Sequence, residues 1–219
     1  MEYTWQFKIV FDYTGELLQG ALITLEISTL SILSALILGL IWGTARHSRK
    51  KLFNLPATMV VEFFRDTPIL VQMFWIFYCI PALTGMRINA LMTAIISLSL
   101  YYSVYLGEIF RAGIESVEKG FIEAGRTLGM SHFQVLRRIV LPLAVRRMIP
   151  PCVNEFTSLI KSSAAASFLA VPELLHISNN INLNIFRPME VFTVCALVYF
   201  ILIYPLAIIS RKLEVVLKV

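Results

Sequence analysis

Polar and charged side chains interrupt an apolar block in the C-terminal third of this chain. The candidate functional residues are Asn154, Glu155, Ser158, Lys161 and Ser162. In a helix, positions 154, 158 and 161 share one face, and positions 155, 158 and 162 share the adjoining face. Such a stripe could hold the two charged ends of a zwitterion, or it could form structural ion pairs between helices. Both interpretations stay open from these residues alone.

A second ionisable side chain, Glu108, lies in an earlier apolar block. Tyr101 and Tyr105 precede it at helical spacing on the same face. We interpret these tyrosines as packing or interfacial residues, since tyrosine favours sites with one wet end. A charge inside a bilayer costs about 2.5–3.5 kcal/mol on insertion scales. We therefore expect Glu108 to pair with Arg111, three residues on, or with a neighbouring helix.

Five apolar blocks dominate the chain, which is 58% hydrophobic and only 15% charged. A helix of roughly twenty apolar residues crosses a hydrocarbon core about 30 Å thick. We predict an all-α integral membrane protein with about five transmembrane helices, and an amphipathic segment, 53–66, at the membrane surface before the second span. The predicted parts are an N-terminal segment (1–19) and a transmembrane domain (20–219) with spans at about 20–45, 67–86, 90–112, 148–171 and 191–210.

The basic residues predict the orientation of these spans. Fourteen of the nineteen Lys and Arg residues lie in three hydrophilic segments that alternate to the same side of the membrane, and three lie on the opposite side. Because cytoplasmic loops are enriched in Lys and Arg, we expect the N-terminus outside, as a periplasmic segment, and the C-terminus in the cytoplasm. The net charge of +5 forms no single patch, so no nucleic acid partner is expected.

The hydrophilic loop at 114–142 is predicted to fold as a helical hairpin in the cytoplasm. Helical spacing over 121–128 ends at Gly129, which suits a left-handed cap. Ser131 with Gln134 has the pattern of a capping box at the start of a second helix, and Pro142 is expected to break the chain before the fourth span. A loop this long exceeds what joining two spans requires, which favours a docking role.

Other site classes find no support in the sequence. There is no Gly-x4-Gly-Lys-Ser/Thr loop, so any nucleotide would be bound by another polypeptide. The three cysteines lie in apolar segments without paired spacing, so we expect neither a disulfide nor a metal site.

The hairpin resembles the EAA loop of the permease subunits of bacterial ABC importers, whose pattern is Glu-Ala-Ala, three residues, Gly, nine residues and Ile-x-Leu-Pro. This chain has Gly125 in place of the usual second alanine and matches the other positions with Glu123-Ala124, Gly129 and Ile139-Val140-Leu141-Pro142. Three further stretches resemble the polar amino acid uptake branch, with permeases of the histidine, glutamate and glutamine type: 64–72, 105–114 and 154–161. The similarity runs from about residue 18 to the end.

The resemblance implies a type I importer permease in the bacterial inner membrane that catalyses no reaction itself. It implies an ATP-binding cassette ATPase subunit docked at Glu123, Ala124, Gly125 and Gly129. No cofactor is expected in this chain, since ATP and Mg²⁺ are bound by the ATPase. Other implied partners are a second copy or a similar sister permease, a periplasmic or lipid-anchored amino acid-binding protein, the amino acid itself and membrane lipids.

The chain departs from the family after Lys161, where Ser162, Ser163 and Ala164 replace the usual Asp-Thr-Ser. The missing carboxylate favours neutral or acidic amino acids, and it leaves open whether this subunit or its sister holds the substrate. Two other functions are compatible with the residues: an ATP-independent channel or carrier, and a membrane scaffold without transport. Uptake into vesicles with and without ATP distinguishes all three.

Overall fold

The computed structural model describes residues 3–48 and 50–217, and every regular element in that part of the chain is a helix. This confirms the predicted all-α class. The α-helices are α1 (Phe7–Phe11), α2 (Thr14–His47), α3 (Lys51–Asp66), α4 (Ile69–Phe74), α5 (Ile80–Thr84), α6 (Ala90–Glu115), α7 (Lys119–Thr127), α8 (His132–Val135), α9 (Leu141–Ser162), α10 (Leu174–Ile185) and α11 (Pro188–Leu217).

Three of these helices, α2, α6 and α11, are each long and apolar enough to cross a membrane. Two bent pairs could supply two more spans. In the first, α3 meets α4 and α5 at 108°; in the second, the helical stretch from α8 to Leu169 meets α10 at 50°. The described chain therefore has between three and five spans.

Close backbone contact joins α2 to α6 at the centre of the bundle. A Cβ atom on Gly43 would lie 2.9 Å from the carbonyl oxygen of Gly107, and one on Gly39 would lie 3.0 Å from the carbonyl oxygen of Ser103. Small residues permit this approach and are typical of helix pairs in membranes. Around this pair, the core includes Met73 of α4 and Leu159 of α9, both fully buried.

A single amide side chain holds the sharp bend between α3 and α4. The Nε2 atom of Gln72 lies 2.8 Å from the carbonyl oxygen of Phe64, 3.0 Å from that of Thr67 and 2.6 Å from the Thr67 hydroxyl. The residue before a proline avoids the helical region, and Thr67 before Pro68 is extended accordingly. The bend thus has a local cause and a side chain that fixes it.

The second bend follows a 3₁₀-helical stretch, Ser163–Leu169, and a left-handed residue, Ala170 (φ 56°). The fully buried carboxylate of Glu173 caps α10 by accepting from the backbone nitrogens of Leu175 and His176, at 2.9 and 2.7 Å. It also accepts from the Tyr199 hydroxyl of α11 at 2.7 Å. These three hydrogen bonds hold α10 and α11 together at the bend.

The expected chain break at Pro142 is wrong. The chain stays helical through a π-helical turn, Leu136–Val140, that leads directly into α9, with Pro142 in the first turn of that helix. A proline in a regular helix clashes with the carbonyl four residues back, here that of Arg138. The wider π turn at that point offers a physical account of how the helix accommodates the ring.

Candidate functional site

The polar stripe of α9 lies on an open side of the bundle. Asn154 and Lys161 are exposed, and Glu155, Ser158 and Ser162 are half-buried. Neither Glu155 nor Lys161 forms an ion pair with any other residue in the described part of the chain. The structural pairing considered from the sequence is therefore not made within one described chain, and the two charges are available to other groups.

Tyrosines of α6 border this stripe. The hydroxyls of Tyr102 and Ser162 are 2.7 Å apart and hydrogen-bonded. The Tyr105 hydroxyl donates to that of Tyr101 at 3.1 Å, and the rings of these two residues are 5.1 Å apart. The packing role predicted for Tyr101 and Tyr105 accords with this cluster. The Tyr102–Ser162 bond was not predicted, because it joins residues far apart in sequence without a local signal.

Glu108 is paired, as predicted, and with both kinds of partner. It accepts from Arg111 Nη2 at 2.9 Å on its own helix and from Arg46 at the end of α2. Arg111 also bonds Glu115 at 2.7 Å. This chain of alternating charges ties the end of α2 to the end of α6, beside the start of the hairpin.

The hairpin of α7 and α8 has the local structure that the sequence predicts. Gly129 adopts a left-handed conformation (φ 77°) immediately after Leu128, the C-cap of α7. Ser131 caps α8, accepting from the Gln134 nitrogen at 3.3 Å, and the Gln134 side chain accepts from the Ser131 nitrogen at 2.8 Å. The turn between the two helices is thus fixed by glycine conformation and a complete capping box.

The four residues proposed for docking do not share one surface. Glu123, Ala124 and Gly129 are exposed, whereas Gly125 is buried inside the hairpin. A Cβ atom on Gly125 would lie 2.7 Å from Cδ1 of Ile139. Gly125 thus packs α7 against the following helical segment, inside the hairpin and not on its exposed surface.

Three large apolar side chains of the hairpin are exposed, Phe121, Leu128 and Phe133, and the two most exposed of them were not predicted from the sequence. Leu128 is 82% exposed and Phe133 is 66% exposed. Both flank the left-handed turn at Gly129. An apolar residue at the C-cap of a short polar helix is a local signal that could have identified Leu128.

Comparison with known proteins identifies the family of this chain. Residues 35–215 match the family of binding-protein-dependent transport system inner membrane components. The chain belongs to this family. As a permease of the family it is a membrane transport component, and the inner membrane location predicted from the sequence is confirmed.

Curated relatives align with the permease over nearly its whole length. It is 38% identical over 209 residues to a probable glutamine ABC transporter permease protein of Bacillus subtilis, covering 93% of this chain and 94% of that one. It is 34% identical over 220 residues to the glutamine transport system permease protein of Escherichia coli, covering both chains completely.

Solved structures share the fold of the permease. An amino acid ABC transporter crystallised with histidines superposes with a TM-score of 0.91 at 30% identity, over 97% of this chain and 99% of that one. The inward-facing methionine ABC transporter MetNI shares the fold alone, at a TM-score of 0.76 and 18% identity, over 94% and 98% of the two chains. The predicted type I importer permease fold is confirmed.

Proposed function

We propose that this permease is the translocating subunit of an ATP-driven importer for a neutral amino acid, with glutamine as the first candidate. The glutamine permeases of two bacteria are 38% and 34% identical to it. The absence of a carboxylate after Lys161 supports a substrate without a positive side chain, because a cationic substrate needs an anion to balance it.

The observation that carries the proposal is the open polar face of α9. An exposed lysine in a membrane span cannot face lipid without a large cost. Lys161 and Glu155 therefore face a second permease, either another copy or a sister subunit, across a polar pathway. There Lys161 offers a cation for the carboxylate of an amino acid, and Glu155 offers an anion for its ammonium group.

The proposed orientation follows from the distribution of basic residues, with the N-terminus outside and the hairpin in the cytoplasm. There a separate ATPase subunit, which binds ATP and Mg²⁺, docks on the exposed hairpin residues Glu123, Ala124 and Gly129. Leu128 and Phe133 add apolar area to this contact. Closure of the ATPase pair moves the hairpins and biases the helices between two arrangements. A binding protein delivers the amino acid outside.

Uptake of labelled glutamine into proteoliposomes tests the proposal. The vesicles contain the permease with its ATPase, and the binding protein is added to the side that exposes the N-terminus. We expect uptake that requires ATP and falls at least tenfold in both Lys161→Ala and Glu155→Gln. Lys212→Ala, an exposed lysine near the end of α11, is the matched control and is expected to transport normally.

The results of this uptake experiment distinguish the proposed importer from the alternative functions. Uptake that proceeds without ATP would support a channel or carrier, and no uptake of any amino acid by a folded, ATP-hydrolysing complex would support a scaffold. Uptake that survives both α9 substitutions would place the substrate site in the sister subunit.

A further inference from the structure

The residues before α2 form a structured strap, residues 3–11, that is fastened to the start of α11. Its anchor is Glu190, whose side chain is fully buried. The Tyr3 hydroxyl donates to Oε2 of Glu190, and the backbone nitrogen of Gln6 donates to Oε1 at 3.0 Å. This hydrogen bond to a carboxylate raises the pKa of Tyr3, so the phenol keeps the proton that it donates.

A second residue of the same corner, Arg187, reinforces the fastening. Its Nη1 atom lies 3.8 Å from Oε1 of Glu190 and donates to the carbonyl oxygen of Thr4 at 3.3 Å. Its guanidinium carbon lies 5.9 Å from the centre of the Tyr3 ring. At the other end of the strap, Val10 is fully buried in a core cluster that includes Val191. The strap is thus held at both ends.

The outer side of the strap carries a ladder of aromatic rings. The Tyr3 and Trp5 rings are 5.5 Å apart edge to face, and the Trp5 and Phe7 rings are stacked 5.3 Å apart. Of the three ladder rings, Tyr3 is 44% exposed, Trp5 is 52% exposed and Phe7 is half-buried. Such rings are costly in water, whereas tyrosine and tryptophan are enriched where membrane meets water.

The neighbouring helices place this ladder at the edge of the hydrocarbon. Leu18 and Leu22, in the first turns of α2, are exposed, and so are Met189 and Phe192 in the first turns of α11. These are exposed apolar positions in helices that are long and apolar enough to cross a membrane. The strap joins the same ends of both helices. The strap therefore lies just beyond the apolar, membrane-crossing part of these two helices.

We propose that the strap is an interfacial anchor, with its aromatic ladder in the phospholipid headgroup region and Glu190 as the latch that holds it against α11. Lys8 is the one charged residue of the strap sequence, and a cation on a long apolar stem suits lipid phosphate. A lipid interface is favoured over a protein partner because the ends of α2 and α11 that the strap joins also expose apolar side chains, and both helices are long and apolar enough to cross a membrane. The proposal does not depend on which solute the permease carries.

Fluorescence of Trp5 tests the location of the ladder. The chain has three tryptophans, so Trp42→Phe with Trp75→Phe leaves Trp5 as the single reporter. In phosphatidylcholine vesicles we expect bromine near the headgroups to quench Trp5 at least twofold more strongly than bromine near the chain ends. Lipids brominated in both leaflets make this result independent of orientation.

Two results would overturn the anchor. The first is full quenching of Trp5 by acrylamide in the water with no effect of brominated lipid. The second is a water-exposed Trp5 that becomes protected only when the amino acid-binding protein is added, which would identify a protein surface instead.

Hydrogen exchange of the strap tests the latch separately. In Tyr3→Phe the ring remains but the bond to Glu190 is lost, and we expect amide exchange over residues 5–11 to accelerate about tenfold, as expected for the loss of one charge-assisted hydrogen bond. Glu190→Ala is expected to accelerate it further. Tyr13→Phe is the control. If Glu190→Ala fails to fold, Tyr3→Phe still decides, and unchanged exchange in that variant would refute the latch.

Discussion

Arg46 at the end of α2 forms an ion pair with Glu108 of α6, across the helix pair whose backbones are in close contact at Gly43 and Gly107. Glu108 also forms an ion pair with Arg111, and Arg111 forms another with Glu115. The side chains of Arg46 and Glu108 are only 18% and 27% exposed, so water screens this pair incompletely. The charge cluster therefore contributes to the stability of the α2–α6 contact where the hairpin begins.

Removal of this shared carboxylate is the first prediction. Glu108→Gln leaves Arg46 and Arg111 without their common anion, and we expect a loss of about 1–3 kcal/mol in the free energy of unfolding. The measurement is the unfolding of the detergent-solubilised permease. Glu62→Gln, an exposed carboxylate of α3, is the control and should unfold as the original protein does. Equal stability of the two variants would contradict a structural role for the pair.

The second prediction compares two glycines of α2. In Gly43→Ala the new methyl group would lie 2.9 Å from the backbone of Gly107, so the two helices must separate, and we expect destabilisation by about 1–3 kcal/mol. Gly15 has nothing within 4 Å of its Cβ position. Gly15→Ala is expected to be neutral or to stabilise by about 0.4–1 kcal/mol through the unfolded chain. Unfolding of both variants measures the contrast, and similar effects would argue against close packing at Gly43.

The third prediction concerns two glycines of the hairpin. Gly129 is left-handed, so Gly129→Ala is strained by about 1–2 kcal/mol, and we expect weaker coupling of ATP hydrolysis to uptake. In Gly125→Ala the new methyl group would lie 2.7 Å from Cδ1 of Ile139, a flexible side-chain end, and 3.3 Å from Cγ2 of Val135. Because these neighbours are side chains and not backbone, we expect a smaller loss of coupled transport than in Gly129→Ala. Coupled uptake in proteoliposomes is the measurement. The prediction fails if Gly125→Ala is the more damaging change.

The fourth prediction concerns Leu128. Because this side chain is 82% exposed, Leu128→Ala should leave the unfolding of the permease unchanged. Uptake and permease-dependent ATP hydrolysis are expected to fall several-fold, since the removed side chain belongs to the proposed ATPase contact. Leu52→Ala removes a leucine that is 78% exposed on α3 and serves as the control. Normal coupling in Leu128→Ala would exclude this residue from the contact.

Local features of the hairpin were predictable because their causes lie within a few residues. Gly129 and the Ser131–Gln134 capping box depend on backbone preferences that neighbouring side chains satisfy. Pro142 was misjudged because a single proline signals a break, whereas the π turn before it leaves the helix intact. Val140 of that turn packs in a core cluster with Val117, which lies before the hairpin, and helical spacing does not reveal this contact.

Contacts between distant residues were predicted least well. The Tyr102–Ser162 bond joins residues sixty positions apart, and the latch at Glu190 joins the two ends of the chain. The buried capping role of Glu173 was not predictable from the sequence either, since an acidic residue after a proline is typical of a surface turn. Its fully buried position is set by α11, which supplies Tyr199.

The bonds around Glu173 limit how the permease can move. Thr24 of α2 accepts from the backbone nitrogen of Leu174 at 3.1 Å, next to the cap that Glu173 and Tyr199 complete. These hydrogen bonds join α2, α10 and α11 at one point. We therefore expect a displacement of α11 to move α2 and α10 with it. Bending is then expected to occur in the short 3₁₀ stretch that follows Lys161, next to the proposed substrate face of α9.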